Sequence, residues 1–293
     1  MDTNVDYFLR KQQPDTSPSA IAARILDELL RVRRGPDQRD DHASVRHHHL
    51  PRLQKAVECA KPLTFVLPAF PTKSPNPRKV LGNLPDTAER IALTFLNDLC
   101  QRITQHYEPG ARILLCADGH VFADTIRVAD ATVAQYQAQL CELVKDIAPS
   151  CIEVMNLHDV LPAEHTSTGF EQARAYLMDH YGKSADVTRA EVMADEMGRS
   201  HYRAITRFMF EDGLTPDYDG SHNALQVDSR QRSIEVIRRS RAWSSLLEQV
   251  YPEALRLLAS GKIHLEGDIC RTSATAVSDG SLISPRAREA GAS

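Results

Sequence analysis

Several features are scarce in this 293-residue sequence, and each absence excludes a class of protein. No apolar run approaches the roughly 20 residues that cross a bilayer, and the N-terminus lacks a basic region followed by an apolar one. The six cysteines are scattered without a C-x-x-C pair, which argues against a zinc ribbon or a disulfide scaffold. A formal net charge of -4 gives no electrostatic reason to expect nucleic acid or a membrane as partner. We therefore expect a cytoplasmic protein that binds small molecules.

Short apolar runs alternate with amphipathic helical patterns across residues 15 to 250, and 42% of the residues are hydrophobic. This alternation predicts an α/β sandwich with a mostly parallel sheet. We predict a flexible N-terminus over residues 1–16 and a single domain over residues 17–293, mainly helical over residues 166–257. The predicted strands are Leu63–Leu67, Ile113–Ala117 and Cys151–Met155.

The helices are predicted from capping residues and from apolar spacing. Ser17-Pro18 starts the first helix, and Asp86 caps one that runs to about Tyr107 and turns Ile91, Phe95, Leu99 and Cys100 inward. Another starts at Asp130, and a long one covers Gln231–Leu257 with the single tryptophan, Trp243, in the core.

Other segments are predicted to be irregular. His42 and the triplet His47–His49 indicate a solvated loop, because consecutive residues do not face one metal ion on any regular element. Residues 156–162 are predicted to form a loop rather than to present His158 and Asp159 as an acid–base pair. Short strand-like pieces follow at Lys262–Leu265 and Ala274–Val277.

The central strand ends at Asp118-Gly119, which predicts a tight turn. We expect this turn to expose three groups able to move protons or bind polar ligands, namely Asp118, His120 and Asp124. Ligands of open α/β sheets collect outside the carboxyl ends of the strands. The sequence therefore places the candidate active site at this turn.

A proline-rich cationic segment follows the first predicted strand. Prolines at 71, 75 and 77 forbid a helix and favour a stiff extended loop. Such a loop can hold a phosphate or a carboxylate with Lys73, Ser74, Asn76, Arg78 and Lys79. An ordinary surface loop with solvated charges fits the spacing equally well.

A second basic pair, Arg203 and Arg207, lies four residues apart on one predicted helical face. Two guanidinium groups in this position repel each other unless carboxylates or a bound anion lie between them. An ion-pair network with Glu211 and Asp212 and the binding of an anionic ligand both remain open.

Three blocks of the sequence resemble the pyoverdine/dityrosine biosynthesis family, the isonitrile synthases. They are Pro68–Gly82 with Leu84-Pro-Asp86 and Glu89, Asp118-Gly-His-Val-Phe122 with Asp124, and Tyr202-Arg203…Arg207-Phe208…Glu211-Asp212. The blocks keep the family's order over residues 60–257. The Ser-Ile-His-Pro and Thr-Pro-Trp-His segments typical of the family's C-terminal part are missing from residues 258–293.

The resemblance implies a Rossmann-like three-layer sandwich and conversion of an L-amino acid, with tyrosine favoured over tryptophan, into an isonitrile. C2 of ribulose 5-phosphate would supply the carbon without a redox cofactor or metal, and a downstream oxygenase could act on the product. The implied roles are a catalytic His120 oriented by Asp118 or Asp124, a phosphate site at Lys73, Ser74, Arg78 and Lys79, and an amino-acid site at Arg203, Arg207 and Glu211.

Two other classes compete with this interpretation. Leu115–Asp124 also resembles the first motif of haloacid-dehalogenase-type phosphatases, but Cys116 stands where those enzymes carry a nucleophilic aspartate. A non-catalytic binding protein is the other alternative, and it predicts that the cationic loop faces solvent.

Overall fold

The computed structural model describes residues 15–32, 42–165 and 167–257, and none of the helices there is long and apolar enough to cross a membrane. The elements in chain order are α1 (Pro18–Arg31), α2 (His42–Glu58), β1 (Leu63–Pro68), α3 (Thr87–His106), β2 (Ala111–Cys116), α4 (Gly119–Ile126), α5 (Asp130–Ile147), β3 (Ile152–Met155), α6 (Leu157–Val160), a 3-10 turn (Ala163–His165), α7 (Phe170–Tyr181), α8 (Ala185–Ala194), α9 (Glu196–Gly213), α10 (His222–Val250) and β4 (Leu255–Arg256).

The sheet contains four parallel strands in the order β3-β2-β1-β4. This confirms the α/β class and the parallel sheet. The chain moves outward from β1 through β2 to β3 and then returns to place β4 on the other side of β1. Ligands of such sheets bind where the strand order reverses, outside the carboxyl ends of the strands. The reversal here lies between β1 and β4, directly beside the segment that follows Pro68.

Alternate residues of β1 and β2 enter separate cores on the two faces of the sheet. Phe65 and Leu115 belong to the core formed with α1, α2, α3 and α5. Val66 and Leu114 belong to the core formed with α4, α6, α7 and α10, which contains Trp243. Because successive side chains of a strand point to opposite faces, this arrangement explains the continuous apolar runs of β1 and β2.

Capping residues set the helix starts as the sequence predicts. The Ser17 side chain accepts a hydrogen bond from the Ala20 amide, and Asp86 forms a capping box with Glu89. The predicted inner face of α3 is wrong in part. Ile91 and Phe95, both predicted to point inward, are 65% and 43% exposed. The buried residues are Leu93, Leu96, Leu99, Cys100 and Ile103.

The histidine triplet does not lie in a loop. His47, His48 and His49 belong to α2, and His49 is buried. This charged segment can be helical because Leu53 and Val57, on later turns of the same helix, are buried in the core.

The connection after β3 also differs from the predicted loop, because Leu157–Val160 form one helical turn. Asn156 caps this turn, and the Asp159 carboxylate accepts from the Asn156 amide in a capping box. The Asp159 carboxylate therefore binds a backbone amide and not the side chain of His158. The long C-terminal helix begins at His222 rather than Gln231.

Strand β4 was not predicted, because two residues are too few to show a pattern. Residues 1–14 of the predicted flexible N-terminus (residues 1–16) and the strand-like pieces Lys262–Leu265 and Ala274–Val277 lie outside the described residues. Four helices, α7 to α10, occupy most of residues 167–257.

Candidate active site

The basic loop (residues 69–79) and the turn at Asp118 follow the adjacent strands β1 and β2 at the same edge of the sheet. Their backbones are in direct contact. A Cβ atom added to Gly119 would lie 1.9 Å from the Pro71 carbonyl oxygen. Only glycine permits this approach, so the two segments predicted to hold the active site meet at one place.

The Asp118 carboxyl group has an unusual environment. It makes no capping hydrogen bond to α4, and its Oδ1 atom is buried without a hydrogen-bond partner among the described residues. Burial raises the pKa of this carboxyl to about 7, because the charged form loses hydration. Both protonation states are therefore populated near neutral pH, as general acid–base catalysis requires.

His120 is buried in α4 rather than exposed on the turn. Its Nδ1 atom lies 3.0 Å from Asp130 Oδ1, and its ring stacks on Phe170 with centroids 3.5 Å apart. Since an ionised carboxylate only accepts, Nδ1 carries the proton and Nε2 keeps its lone pair. Burial lowers the pKa of His120 and outweighs the hydrogen bond to Asp130, so the imidazole is neutral near pH 7.

The prediction that Asp118 or Asp124 orients His120 is wrong, because Asp130 occupies its Nδ1 atom. Asp124 is paired with Arg239, whose Nη2 lies 2.9 Å from Oδ2, and its Oδ1 lies 3.4 Å from Arg174 Nε. Burial acts to raise the pKa of Asp124, but these arginines keep it below the usual value. A direct catalytic role of Asp124 stays a prediction.

One end of the basic loop is bound to the start of α3. Lys73 Nζ lies 3.1 Å from Asp86 Oδ2 and 2.6 Å from Glu89 Oε2. Burial acts to lower the pKa of Lys73, but the two carboxylates raise it above its usual value. Lys73 therefore remains charged, and much of that charge is neutralised by protein groups.

The other end of the loop is bound to the end of α9. The Ser74 hydroxyl donates to Asp212 at 2.7 Å, and Lys79 forms an ion pair with the same carboxylate. Asn76 is buried and donates to the Glu211 and Leu214 carbonyls. These contacts contradict a loop of solvated charges, although Arg78 itself is exposed and has no ion pair with a described residue.

The arginines predicted to bind the amino acid lie on the exposed side of α9. Arg203 pairs with Glu196, and Arg207 Nε lies 2.7 Å from Glu211 Oε1. Asp212 pairs with Lys79 rather than with either arginine. A cavity of about 330 Å³ opens between α9 and α10, and its walls are Tyr202, Arg203, Thr206, Arg207, Phe210, Gln226 and Arg230.

The sequence did not indicate Thr72 and Arg256 at the carboxyl edge of the sheet, and it gave His158 no role in the site. Thr72 Oγ1, His158 Nε2 and Arg256 Nε are buried without a hydrogen-bond partner among the described residues, as is Asp118 Oδ1. These residues belong to or follow β1, β3, β4 and β2, respectively. Buried polar groups are otherwise satisfied in proteins, so this edge offers hydrogen-bonding capacity to a polar ligand.

Cys116 occupies the position of the nucleophilic aspartate in the phosphatase motif. Its side chain is fully buried, and burial raises the pKa of the thiol to about 12. A buried neutral thiol cannot replace a carboxylate nucleophile. The geometry therefore argues against the phosphatase alternative, and the contacts of the basic loop argue against a loop that faces solvent.

Comparisons with known proteins agree with the three sequence blocks. The sequence model of the family described as "Pyoverdine/dityrosine biosynthesis protein" matches residues 53–265. L-tyrosine isonitrile synthases of Xenorhabdus nematophila and Pseudomonas aeruginosa are each 46% identical to the chain, with 81% of it aligned to 72% and 74% of those proteins. The L-tryptophan isonitrile synthase AmbI1 of Fischerella ambigua is 35% identical, with 81% of the chain aligned to 75% of that protein.

A solved structure gives the same result for the fold. The crystal structure of the PvcA protein from Pseudomonas aeruginosa has a TM-score of 0.77 to the chain and is 47% identical, and the match covers 81% of this chain and 78% of that one. With this extent of similarity in sequence and fold, the chain belongs to the pyoverdine/dityrosine biosynthesis family and is an isonitrile synthase.

Proposed function

We propose that the enzyme converts the α-amine of L-tyrosine into an isonitrile and takes the carbon from C2 of ribulose 5-phosphate. The observation that carries the choice of amino acid is the identity of 46% to two L-tyrosine isonitrile synthases, against 35% to a relative that is named for L-tryptophan. L-tryptophan is the second candidate. The product would enter secondary metabolism of the pyoverdine or paerucumarin type.

The first step is the condensation of an amine with a ketone. The nitrogen attacks the C2 carbonyl to form a carbinolamine, which loses water to form an imine. His120 is suited to accept a proton from the ammonium group, because Asp130 occupies Nδ1 and leaves Nε2 as the base. Asp118 is suited to protonate the departing hydroxyl group, because its pKa is about 7.

The phosphate group would bind at the basic loop. Lys73, Ser74 and Lys79 are engaged with carboxylates of α3 and α9, which fixes the loop and reduces its positive charge. Arg78 is exposed and has no ion pair with a described residue. We therefore assign the direct phosphate contact to Arg78, with Lys73, Ser74 and Lys79 completing the site.

The amino acid would bind in the cavity between α9 and α10. Arg203 and Arg207 offer guanidinium groups to the carboxylate, and Tyr202 and Phe210 offer aromatic walls to the side chain. Glu211 holds Arg207 through its ion pair. A volume of about 330 Å³ lies at the lower end of the range of small-molecule sites.

Both substrates are metabolites, and we propose that the reaction takes place in the cytoplasm, with a downstream oxygenase as the consumer of the isonitrile. The described cysteines are free thiols, which is consistent with a reducing compartment.

The test is incubation of the purified enzyme with L-tyrosine and ribulose 5-phosphate labelled with ¹³C at C2. We expect a product that shows the infrared stretch of an isonitrile and retains the label in the isonitrile carbon, as determined by mass spectrometry. L-tryptophan serves as the competing substrate, and the Asp130→Asn variant serves as the control with an impaired base. An unlabelled isonitrile would refute the carbon donor, and turnover of L-tryptophan alone would refute the choice of amino acid.

A further inference from the structure

Helix α7 contributes two side chains to the surroundings of His120. Phe170, at its first turn, lies between two imidazole rings, with centroids 3.5 Å from His120 and 4.2 Å from His158. Arg174, one turn later, reaches the carboxylate that binds His120. Residues four apart project from the same side of a helix, so one helical face delivers both contacts.

Arg174 binds Asp130 through both guanidinium branches. Its Nη1 lies 2.9 Å from Asp130 Oδ1, and its Nη2 lies 3.1 Å from Oδ2. Nη1 also donates to the His120 carbonyl at 3.0 Å. Arg174 is 8% exposed, and a charged side chain is rarely so buried unless it is paired.

We propose that Arg174 is a positioning residue of the isonitrile synthase, whose planar guanidinium group fixes Asp130 and thereby the orientation and charge state of His120. This inference rests on the proposed role of His120 as the base. A bidentate contact fixes both distance and plane, which a point charge on a flexible chain does not.

The Asp124 carboxylate contacts the Nε side of the Arg174 guanidinium group. Arg174 Nε lies 3.4 Å from Asp124 Oδ1, and Arg239 binds the same carboxylate while it donates to the Val121 carbonyl at 3.0 Å. Asp124 thereby acts on Arg174 from within α4, the helix that carries His120.

Three charged or titratable groups face His120 from the elements packed around it, namely Asp130 of α5, Arg174 of α7 and His158 of α6. Asp130 favours the protonated imidazole, and Arg174 disfavours it. Removal of Arg174 should therefore raise the pKa of His120, and removal of Asp130 should lower it. A residue that only stabilises the fold would not produce this pair of shifts.

The experiment compares Arg174→Gln, Asp130→Asn and Arg174→Lys with a control, Arg241→Gln, which removes an exposed arginine paired with Glu191. The ring of His120 is followed by ¹⁵N NMR, and its signals are assigned by their loss in His120→Gln. We expect its pKa to rise in Arg174→Gln, to fall in Asp130→Asn and to remain unchanged in the control.

The kinetic measurement uses the acid limb of kcat/KM, which reports the base in the free enzyme. The limb should move to higher pH in Arg174→Gln and to lower pH in Asp130→Asn. Arg174→Lys keeps the positive charge but loses the planar pair of N–H groups that binds both Asp130 oxygens. We therefore expect kcat to fall about 10-fold or more while the pH of the acid limb does not change. If Arg174→Gln does not fold, the kcat of Arg174→Lys tests the proposal. A kcat of Arg174→Lys equal to that of the wild type would refute it.

The two readouts separate the inference from the proposed function. NMR shifts in the expected directions without isonitrile formation by the wild type would refute the function and leave the positioning role. Isonitrile formation with an unchanged His120 pKa in Arg174→Gln and Asp130→Asn would refute the positioning role and leave the function.

Discussion

Three aspartates close to the carboxyl end of β2 differ in their environments, and this difference separates their roles. Asp118 has a buried oxygen without a partner, and burial raises its pKa to about 7. For Asp124 and Asp130, burial acts in the same direction, but hydrogen bonds from arginines outweigh it and lower the pKa. Asp118 can therefore exchange a proton near neutral pH, whereas Asp124 and Asp130 stay ionised and orient their neighbours.

Asp118→Asn should make the stability of the enzyme less dependent on pH. A carboxyl group with a raised pKa in the folded state contributes its full stability below its unfolded pKa of about 4, and loses it as pH rises through the folded pKa. The free energy of unfolding of the wild type should therefore fall by on the order of 3 kcal/mol more than that of Asp118→Asn between pH 4 and pH 8. Urea unfolding at both pH values measures this difference, with exposed Asp219→Asn as the control. Parallel pH profiles of wild type and Asp118→Asn would contradict the raised pKa.

Arg78→Ala should raise the KM for ribulose 5-phosphate by about 10-fold, because a charge-assisted contact to phosphate contributes about 1.5 kcal/mol. The free energy of unfolding should not change, since Arg78 is exposed and has no ion pair with a described residue. The matched control is Arg90→Ala, which removes an exposed arginine of α3 near Asp146. Steady-state kinetics with varied sugar phosphate measure the effect. An unchanged KM would remove Arg78 from the phosphate site.

At the scale of elements, the parts that obey local rules could be predicted from the sequence. Ser17 and Asp86 start helices because their side chains satisfy free amides, and β2 ends at Cys116, two residues before the Asp118-Gly119 pair. The inner face of α3 could not be predicted, because apolar residues lie on more than one side of it. Ile91 and Leu93 are similarly hydrophobic, and only the position of the sheet decides which one is buried.

The partners of the site residues are likewise decided by packing between elements. Asp130 lies only ten residues from His120, and its carboxylate reaches the imidazole because α5 turns back beside α4. Arg174 gives a weak signal in the sequence, since it lies between the apolar residues Ala173 and Leu177 on a helix. A cation at such a position indicates a buried carboxylate, but the sequence does not indicate which one.

The contact between the basic loop and the start of α4 yields a prediction for Gly119→Ala. The added Cβ would overlap the Pro71 carbonyl oxygen at 1.9 Å and Val133 Cγ1 at 2.6 Å, so the loop must move away from the Asp118 turn. We expect a loss of about 1–3 kcal/mol in stability and a raised KM for the sugar phosphate. Gly82→Ala is the control in the neighbouring segment, because its Cβ would meet nothing within 4 Å. Equal stability and equal KM in both variants would show that the two segments do not depend on this approach.

At the scale of the molecule, the two cores share the same strands. Phe65 and Val66 are adjacent in β1, yet they enter cores on opposite faces of the sheet, and Leu114 and Leu115 do the same in β2. Loss of either helical layer would expose one side of both central strands to water. The two layers should therefore stabilise each other through the sheet.

This coupling predicts that the described part of the chain unfolds in one step, although chains longer than 150 residues often populate intermediates. Trp243 is the single tryptophan and is buried in the core on the α7 and α10 side, so its fluorescence reports that layer alone. Far-UV circular dichroism reports the helices on both sides. In urea, the two signals should give the same midpoint and the same slope. A fluorescence transition at lower urea would show that the α7 and α10 layer unfolds first, and the predicted single domain would then behave as two units that share a sheet.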